Sequence, residues 1–295
     1  MIDQLSSIQQ GDYKSLSRMI SLIENEAEGY EALLKSLPAN NTTKIIGITG
    51  PPGAGKSTLT DALIGELINK EKKVAVLCVD PSSPFSYGSL LGDRIRMSEW
   101  YNNKNVFIRS LATRGALGGL HPKIFEITDI MKAAGFDYII IETVGVGQSE
   151  VEIAGLADVT ILVLVPEGGD IIQTMKAGIM EIADIFVVNK SDRPDAEAFV
   201  NNLKKVVPHT STKKEMQVPI LKTIASEKTG VPELFNEINN YLQHPVTNEK
   251  KIFLLTERAW QLIQKKRMKD INKEELHKRI KENNITNLYS LVENF

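Results

Sequence analysis

Residues 50–58 read GPPGAGKST and follow the apolar run KIIGIT. Gly50, Gly55, Lys56 and Ser57 satisfy G-x-x-x-x-G-K-[ST], with Pro51, Pro52, Gly53 and Ala54 between them and Thr58 after. Small residues let backbone N–H groups wrap a phosphate, and the start of the following helix adds positive electrostatic potential. Lys56 is placed to reach β- and γ-phosphate oxygens, and the Ser57 hydroxyl to ligate Mg2+. Such a cation needs further oxygen ligands and keeps several waters. Carboxylates at the C-terminal ends of strands are therefore the candidates: Asp80 after VAVLCV and Glu142 after DYIII, with Asp93 in the loop GSLLGDRIRM.

A second pattern selects the base. Asn189, Lys190 and Asp192 lie in VVNKSD, at the end of an expected strand. The Asp192 carboxylate can accept from both N1–H and the 2-amino group of guanine, a donor pair adenine lacks. The Lys190 stem can lie over the base, and Asn189 can tie its loop to neighbouring ones. In TIASEKTG, the backbone N–H groups of Ala225 and Ser226 are expected near the guanine O6, with Ile224 just before them. In ETVGVGQSE, Gly145 is the expected pivot whose N–H meets a γ-phosphate, with Glu142 where the usual D-x-x-G motif has Asp. Gln148 stands three residues beyond Gly145, and Val146 occupies the position directly after the glycine. Weak intrinsic hydrolysis, raised by a partner, is the expectation. Arg94, Arg96, Arg109 and Arg114 are candidates for an arginine acting in cis on the transferring phosphoryl group.

These residues need a scaffold. Ile- and Val-rich runs at 44–49, 73–79, 105–111, 137–142, 159–165, 184–189 and 218–224 alternate with helical stretches, and most are apolar on both faces. The fold class expected is α/β: a doubly wound, mostly parallel sheet of the P-loop NTPase kind. A helical N-terminal arm (1–40) precedes this domain (41–245), and a helical tail (246–295) follows it. In the arm, Leu16, Met19, Ile20 and Ile23 recur at helical spacing. In the tail, Phe253, Leu254, Trp260, Ile263 and Met268 are expected as buried anchors.

The chain has 295 residues, 42% of them apolar, and a formal net charge of −2, which offers no general attraction to nucleic acid or acidic membrane surfaces. A single cysteine, Cys78, excludes an intrachain disulfide, and the four histidines have no metal-ligand spacing. The N-terminus lacks a basic start followed by an apolar stretch, and no apolar run reaches bilayer length. A cytoplasmic protein is expected.

In order along residues 15–234, the segments SLSRMISLIENE, GITGPPGAGKSTL, VLCVDPSSPFSYGSLLGDRIRM, RSLATRGALGGL, ETVGVGQSE, EGGDIIQTMKAGIMEIADIFVVNKSD and TGVPEL occur. Together they resemble the methylmalonyl-CoA mutase-associated GTPases (MeaB-like or ArgK-like), of the SIMIBI class of P-loop GTPases. The resemblance implies a GTP-hydrolysing, homodimeric chaperone of an adenosylcobalamin-dependent acyl-CoA mutase, which gates cofactor loading and protects or reactivates the mutase. Methylmalonyl-CoA mutase is the default client, and an adenosyltransferase is a further candidate partner. It implies catalytic and Mg2+-site roles for Lys56, Asp80, Asp93 and Glu142, and guanine reading by Asp192. It also implies a partner-signalling switch at 168–178 through Asp170, Gln173 and Lys176. The chain departs from the family at Ile224, where a small polar residue is usual, and in its divergent, short tail. The rival readings are a P-loop kinase, a nickel-delivering GTPase, and a scaffold in which GTP only sets conformation.

Overall fold

The computed structural model describes residues 2–38, 42–80, 97–113, 120–145, 151–166, 178–210, 218–243, 249–268 and 270–282. The chain divides into two units, Met1–Lys251 and Ile252–Phe295.

The first unit opens with three helices, α1 (Ile2–Gln9), α2 (Tyr13–Glu24) and α3 (Tyr30–Lys35). Asp12 caps α2 by accepting from the backbone N–H groups of Lys14 and Ser15 at 3.0 and 3.1 Å. The helical repeat places Leu16, Met19, Ile20 and Ile23 on one buried face. Full burial of such side chains contributes on the order of 1.5–3 kcal/mol each.

Next come β1 (Lys44–Thr49), α4 (Lys56–Asn69), β2 (Val74–Asp80), β3 (Val106–Ala112), α5 (Ile124–Ala133), β4 (Tyr138–Glu142), α6 (Ile153–Leu156) and β5 (Val159–Leu164). They are followed by β6 (Ile185–Val188), α7 (Ala196–Thr210), β7 (Ile220–Lys222) and α8 (Val231–Gln243). The seven strands form one sheet in the order β3-β2-β4-β1-β5-β6-β7, and every neighbouring pair is parallel. Parallel strands covered on both faces must be apolar throughout, which explains the unbroken Ile and Val runs.

The sheet has two distinct faces. On one, Ile46, Ile48, Val76, Cys78, Ile140, Ile161 and Val187 pack with Leu59, Leu63 and Leu67 of α4 and Leu234, Phe235 and Ile238 of α8. On the other, the N-terminal helices meet α5 and β3. Tyr13 lies 5.3 Å from the Phe107 ring and 5.8 Å from Phe136, centroid to centroid. Arg109 of β3 pairs with Glu24 and donates to the Ser21 hydroxyl at 3.2 Å, and Lys123 meets Glu26 at 2.8 Å. The arm is thereby held by ionic contacts as well as by its apolar face. β1 lies in the middle of the sheet, so the loop at its C-terminal end opens onto the crevice where open α/β sheets bind ligands.

The second unit contains most of α9 (Glu249–Arg267) and all of α10 (Lys273–Glu282). The expected anchors there are not buried: Phe253 is 62% exposed, Trp260 57%, Met268 53% and Ile263 48%, and Leu254 is half-buried. The helix carries a wider apolar surface than its own unit covers. Among the described residues no helix is long and apolar enough to cross a membrane.

Candidate functional site

At the end of β1 the chain turns through residues 50–55 into α4, so the N-terminal end of that helix, with its positive potential, faces the loop. Gly55 precedes the helix at φ +88°, and a Cβ there would lie 2.3 Å from the Asn189 Nδ2. Only glycine satisfies both the backbone angle and the close approach. Lys56 is buried, and its ammonium donates to the carbonyls of Gly50 at 2.8 Å and Pro51 at 3.1 Å. The loop is thus folded around the lysine, with the charge at its centre.

Glu142 closes β4, paired in register with Ile48 of β1 and Cys78 of β2. Its alternation in the strand puts it on the α4 face. There the Ser57 hydroxyl donates to Glu142 Oε1 at 2.6 Å, and the Thr60 hydroxyl lies 3.0 Å from Oε2. Asp80 ends β2 two residues beyond Cys78, on the same face and buried beside Ala112 of β3. The oxygens of Ser57, Asp80 and Glu142 are hard donors suited to Mg2+. Ser57 directs its proton at Glu142, so the two are held side by side. Among the described residues no group of three or more His, Cys, Asp or Glu side chains forms a metal cluster.

Gly145, buried at φ +93°, lies against the loop. A Cβ on it would fall 2.4 Å from Lys56 Nζ and 2.7 Å from the Gly50 carbonyl oxygen. Between Glu142 and Gly145, the Thr143 hydroxyl donates to that of Thr49 at 3.2 Å, and the Thr143 N–H donates to Ile48 at 3.0 Å. The segment after β4 is therefore tied to the end of β1.

Asn189, at the end of β6, is buried and reaches in two directions. Its amide N–H2 donates to the Ala54 carbonyl at 2.9 Å, and its Oδ1 accepts from the Thr223 hydroxyl and the Ala225 N–H, both at 3.1 Å. Lys190 adopts the left-handed region at φ +55°, and the Ser191 N–H donates to the Thr223 carbonyl at 3.1 Å. Asp192 follows, exposed. The loop 224–230 is closed by reciprocal backbone bonds between Ile224 and Thr229. Ile224 itself is half-buried and Ser226 exposed. Ala225 directs its N–H at Asn189 rather than outward.

Lys56, Ser57, Glu142, Gly145, Asn189 and Ala225 are thus brought together around the end of β1. Asp93, Gln148, Asp170, Gln173 and Lys176 lie outside the described residues, as do Arg94, Arg96 and Arg114. Arg109 is not near the phosphate loop. It sits on the opposite face of the sheet, where alternation along β3 points it at Glu24. The sequence reading missed Thr60, Thr49, Thr143 and Thr223. For Thr60 a signal existed: it is three residues after Ser57, hence on the same helix face.

Comparison with known proteins identifies relatives over most of the chain. The family described as methylmalonyl Co-A mutase-associated GTPase MeaB matches residues 16–285. GTPase ArgK of Escherichia coli is 37% identical over 250 residues, 82% of this chain and 76% of that protein. A fused isobutyryl-CoA mutase of Geobacillus kaustophilus is 37% identical over 239 residues, 76% of this chain but 22% of that protein. Among solved structures, a LAO/AO transport system kinase superposes with a TM-score of 0.68 and 26% identity, over 99% of this chain and 95% of that one.

Proposed function

We propose, from the premise that this chain belongs to the MeaB family of methylmalonyl-CoA mutase-associated GTPases, that it is a Mg2+-dependent GTP switch acting on an adenosylcobalamin-dependent acyl-CoA mutase. The observation that carries the proposal is the double reach of Asn189, which joins the phosphate loop to the loop bearing Asp192. A phosphate site and a guanine-selective carboxylate set on one framework suit a single bound GTP.

In this reading the backbone of residues 50–58 and the α4 N-terminus bind the phosphates. Lys56 leaves the Gly50 and Pro51 carbonyls to pair with the β- and γ-phosphates. Ser57, Asp80 and Glu142 hold the cation, together with Asp93. When bound, Mg2+ neutralises charge on the transferring phosphoryl group. Gly145 donates to the γ-phosphate, and its contact with the loop makes the segment after β4 sensitive to whether that phosphate is present. Asp192 reads guanine, with Lys190 over the base and Ile224, Ala225 and Ser226 along its edge. Asp170, Gln173 and Lys176 carry the signal to the mutase.

The mutase reading is supported by the relative in which a chain like this one is part of a fused isobutyryl-CoA mutase. Methylmalonyl-CoA mutase remains the default client, an adenosyltransferase is a second partner, and the cytoplasm is the compartment. The exposed face of α9, with Ile252, Phe253, Trp260 and Ile263, fits a second copy of the chain, as a homodimer requires.

The deciding experiment measures GTP and ATP turnover by the purified protein, alone and with each adenosylcobalamin-dependent mutase of the source organism, beside Asp192→Ala. GTP-selective turnover stimulated by one mutase is expected, with selectivity lost in the variant. Equal use of ATP would favour a kinase, and indifference to every mutase would overturn the chaperone role.

A further inference from the structure

Thr60 is a second hydroxyl at the Glu142 carboxylate, and the phosphate-loop pattern does not include it. Ser57 and Thr60 share one face of α4, and that face meets the end of β4. Each carboxylate oxygen takes one hydroxyl, Oε1 from Ser57 at 2.6 Å and Oε2 from Thr60 at 3.0 Å. Thr60 is fully buried, so water cannot replace its contact. Its single proton has two acceptors at 3.0 Å, Glu142 Oε2 and the Lys56 carbonyl one turn back. A charged acceptor forms the stronger bond, which directs the proton to the carboxylate.

The two hydroxyls then differ in what they are free to do. Ser57 is at the loop and is the residue whose oxygen a nucleotide-bound cation would take. Thr60 is one turn deeper, beyond reach of the phosphates. A carboxylate that lost the Thr60 hydroxyl at Oε2 would be less firmly fixed about its last bond when Ser57 adjusts. Held also at Oε2, it keeps Oε1 facing Ser57.

We propose that Thr60 is a positioning residue, which fixes the Glu142 carboxylate so that Glu142 and Ser57 hold the nucleotide-bound divalent cation. The proposal rests on the reading of Glu142 as part of the cation site. Thr60→Val keeps the branched shape and removes the hydroxyl, and Thr60→Ser restores it. The readout is the release rate of a fluorescent GDP derivative in Mg2+ and in EDTA, with the Mg2+ concentration that gives half the slowing.

In EDTA, Thr60→Val is expected to release GDP within about twofold of wild type. In the same variant the half-effect Mg2+ concentration is expected to rise about tenfold, as loss of one charge-assisted hydrogen bond implies. Thr60→Ser is expected to stay within about threefold of wild type. Should the valine variant not fold, Thr60→Ala removes the same hydroxyl with less bulk and is read in the same way. A Mg2+ dependence unchanged in the hydroxyl-less variant, parallel changes in Mg2+ and EDTA, or failure of serine to rescue would each overturn the role of Thr60. Wild-type release indifferent to Mg2+ would instead overturn the cation site itself, and Thr60 with it.

Discussion

The Asn189 side chain donates to the Ala54 carbonyl at 2.9 Å, across 135 residues of sequence. That bond makes the loop after β6 and the loop after β1 one piece. Asn189→Ala would leave the buried Ala54 carbonyl, Thr223 hydroxyl and Ala225 N–H short of a partner. Each such loss costs about 1–3 kcal/mol, and the three are not additive. The expected result is a stability loss of about 2–3 kcal/mol in urea unfolding, with GTP and GDP affinities falling by similar factors. A fall confined to GTP would contradict a shared framework.

Gly145→Ala addresses the other side of the loop. The added methyl would sit 2.4 Å from Lys56 Nζ and 2.7 Å from the Gly50 carbonyl oxygen, at a backbone angle that L-residues rarely adopt. The segment after β4 must therefore move away from the lysine. Hydrolysis is expected to drop at least tenfold, about 1.4 kcal/mol of transition-state stabilisation. GDP affinity should change much less, because in the proposed function the displaced N–H serves the γ-phosphate. Titration of both nucleotides against the variant checks this; equal losses would show that Gly145 serves only the loop's packing.

Glu24 and Arg109 give a test in which the phosphate site should not respond. Glu24 is largely buried and Arg109 partly so, and their ion pair joins α2 to β3. Glu24→Leu strands a half-buried guanidinium, at a cost of about 1–3 kcal/mol, below the range for a fully buried pair because Arg109 keeps some solvent contact. Arg109→Leu in the same background should recover part of that loss. GTP turnover of the folded double variant is expected within twofold of wild type. A tenfold loss of turnover with stability intact would reinstate Arg109 as a residue acting on phosphate.

Much of the scaffold was legible because buried parallel strands leave a plain mark. The runs at 44–49 and 137–142 appear as Lys44–Thr49 and Tyr138–Glu142. The edge run at 218–224 shortens to Ile220–Lys222, since a strand paired on one side only is half-exposed and weakly held. The strand order is a different matter, because it depends on contacts between segments far apart in sequence. The same holds for individual side chains. That Thr60 meets Glu142, 82 residues away, and that Arg109 faces α2, follow from strand pairing and helix rotation. The tail misled for another reason: helical spacing marks an apolar face, and does not say which surface covers it.

Tyr241 supplies a prediction in pH. Its phenol donates to Asp184 Oδ1, while Asp184 Oδ2 accepts the Thr160 N–H at 2.9 Å, so the pair fastens α8 to the sheet. Burial, and then the Asp184 carboxylate, push the Tyr241 phenol far above its ordinary value of 10.0. The folded state therefore holds this proton at pH values where the unfolded chain releases it. The stabilisation is fully present below about pH 10 and declines as pH rises beyond it. Tyr241→Phe removes the hydrogen bond and should lower stability near neutral pH by about 1–3 kcal/mol. It should also flatten the fall in stability between about pH 10 and 11.5. Some slope must remain, because Tyr13 and Tyr138 are also raised by burial. Denaturant midpoints measured at pH 7.5, 9, 10 and 11 for both proteins decide it: parallel curves would mean that Tyr241 does not titrate with unfolding.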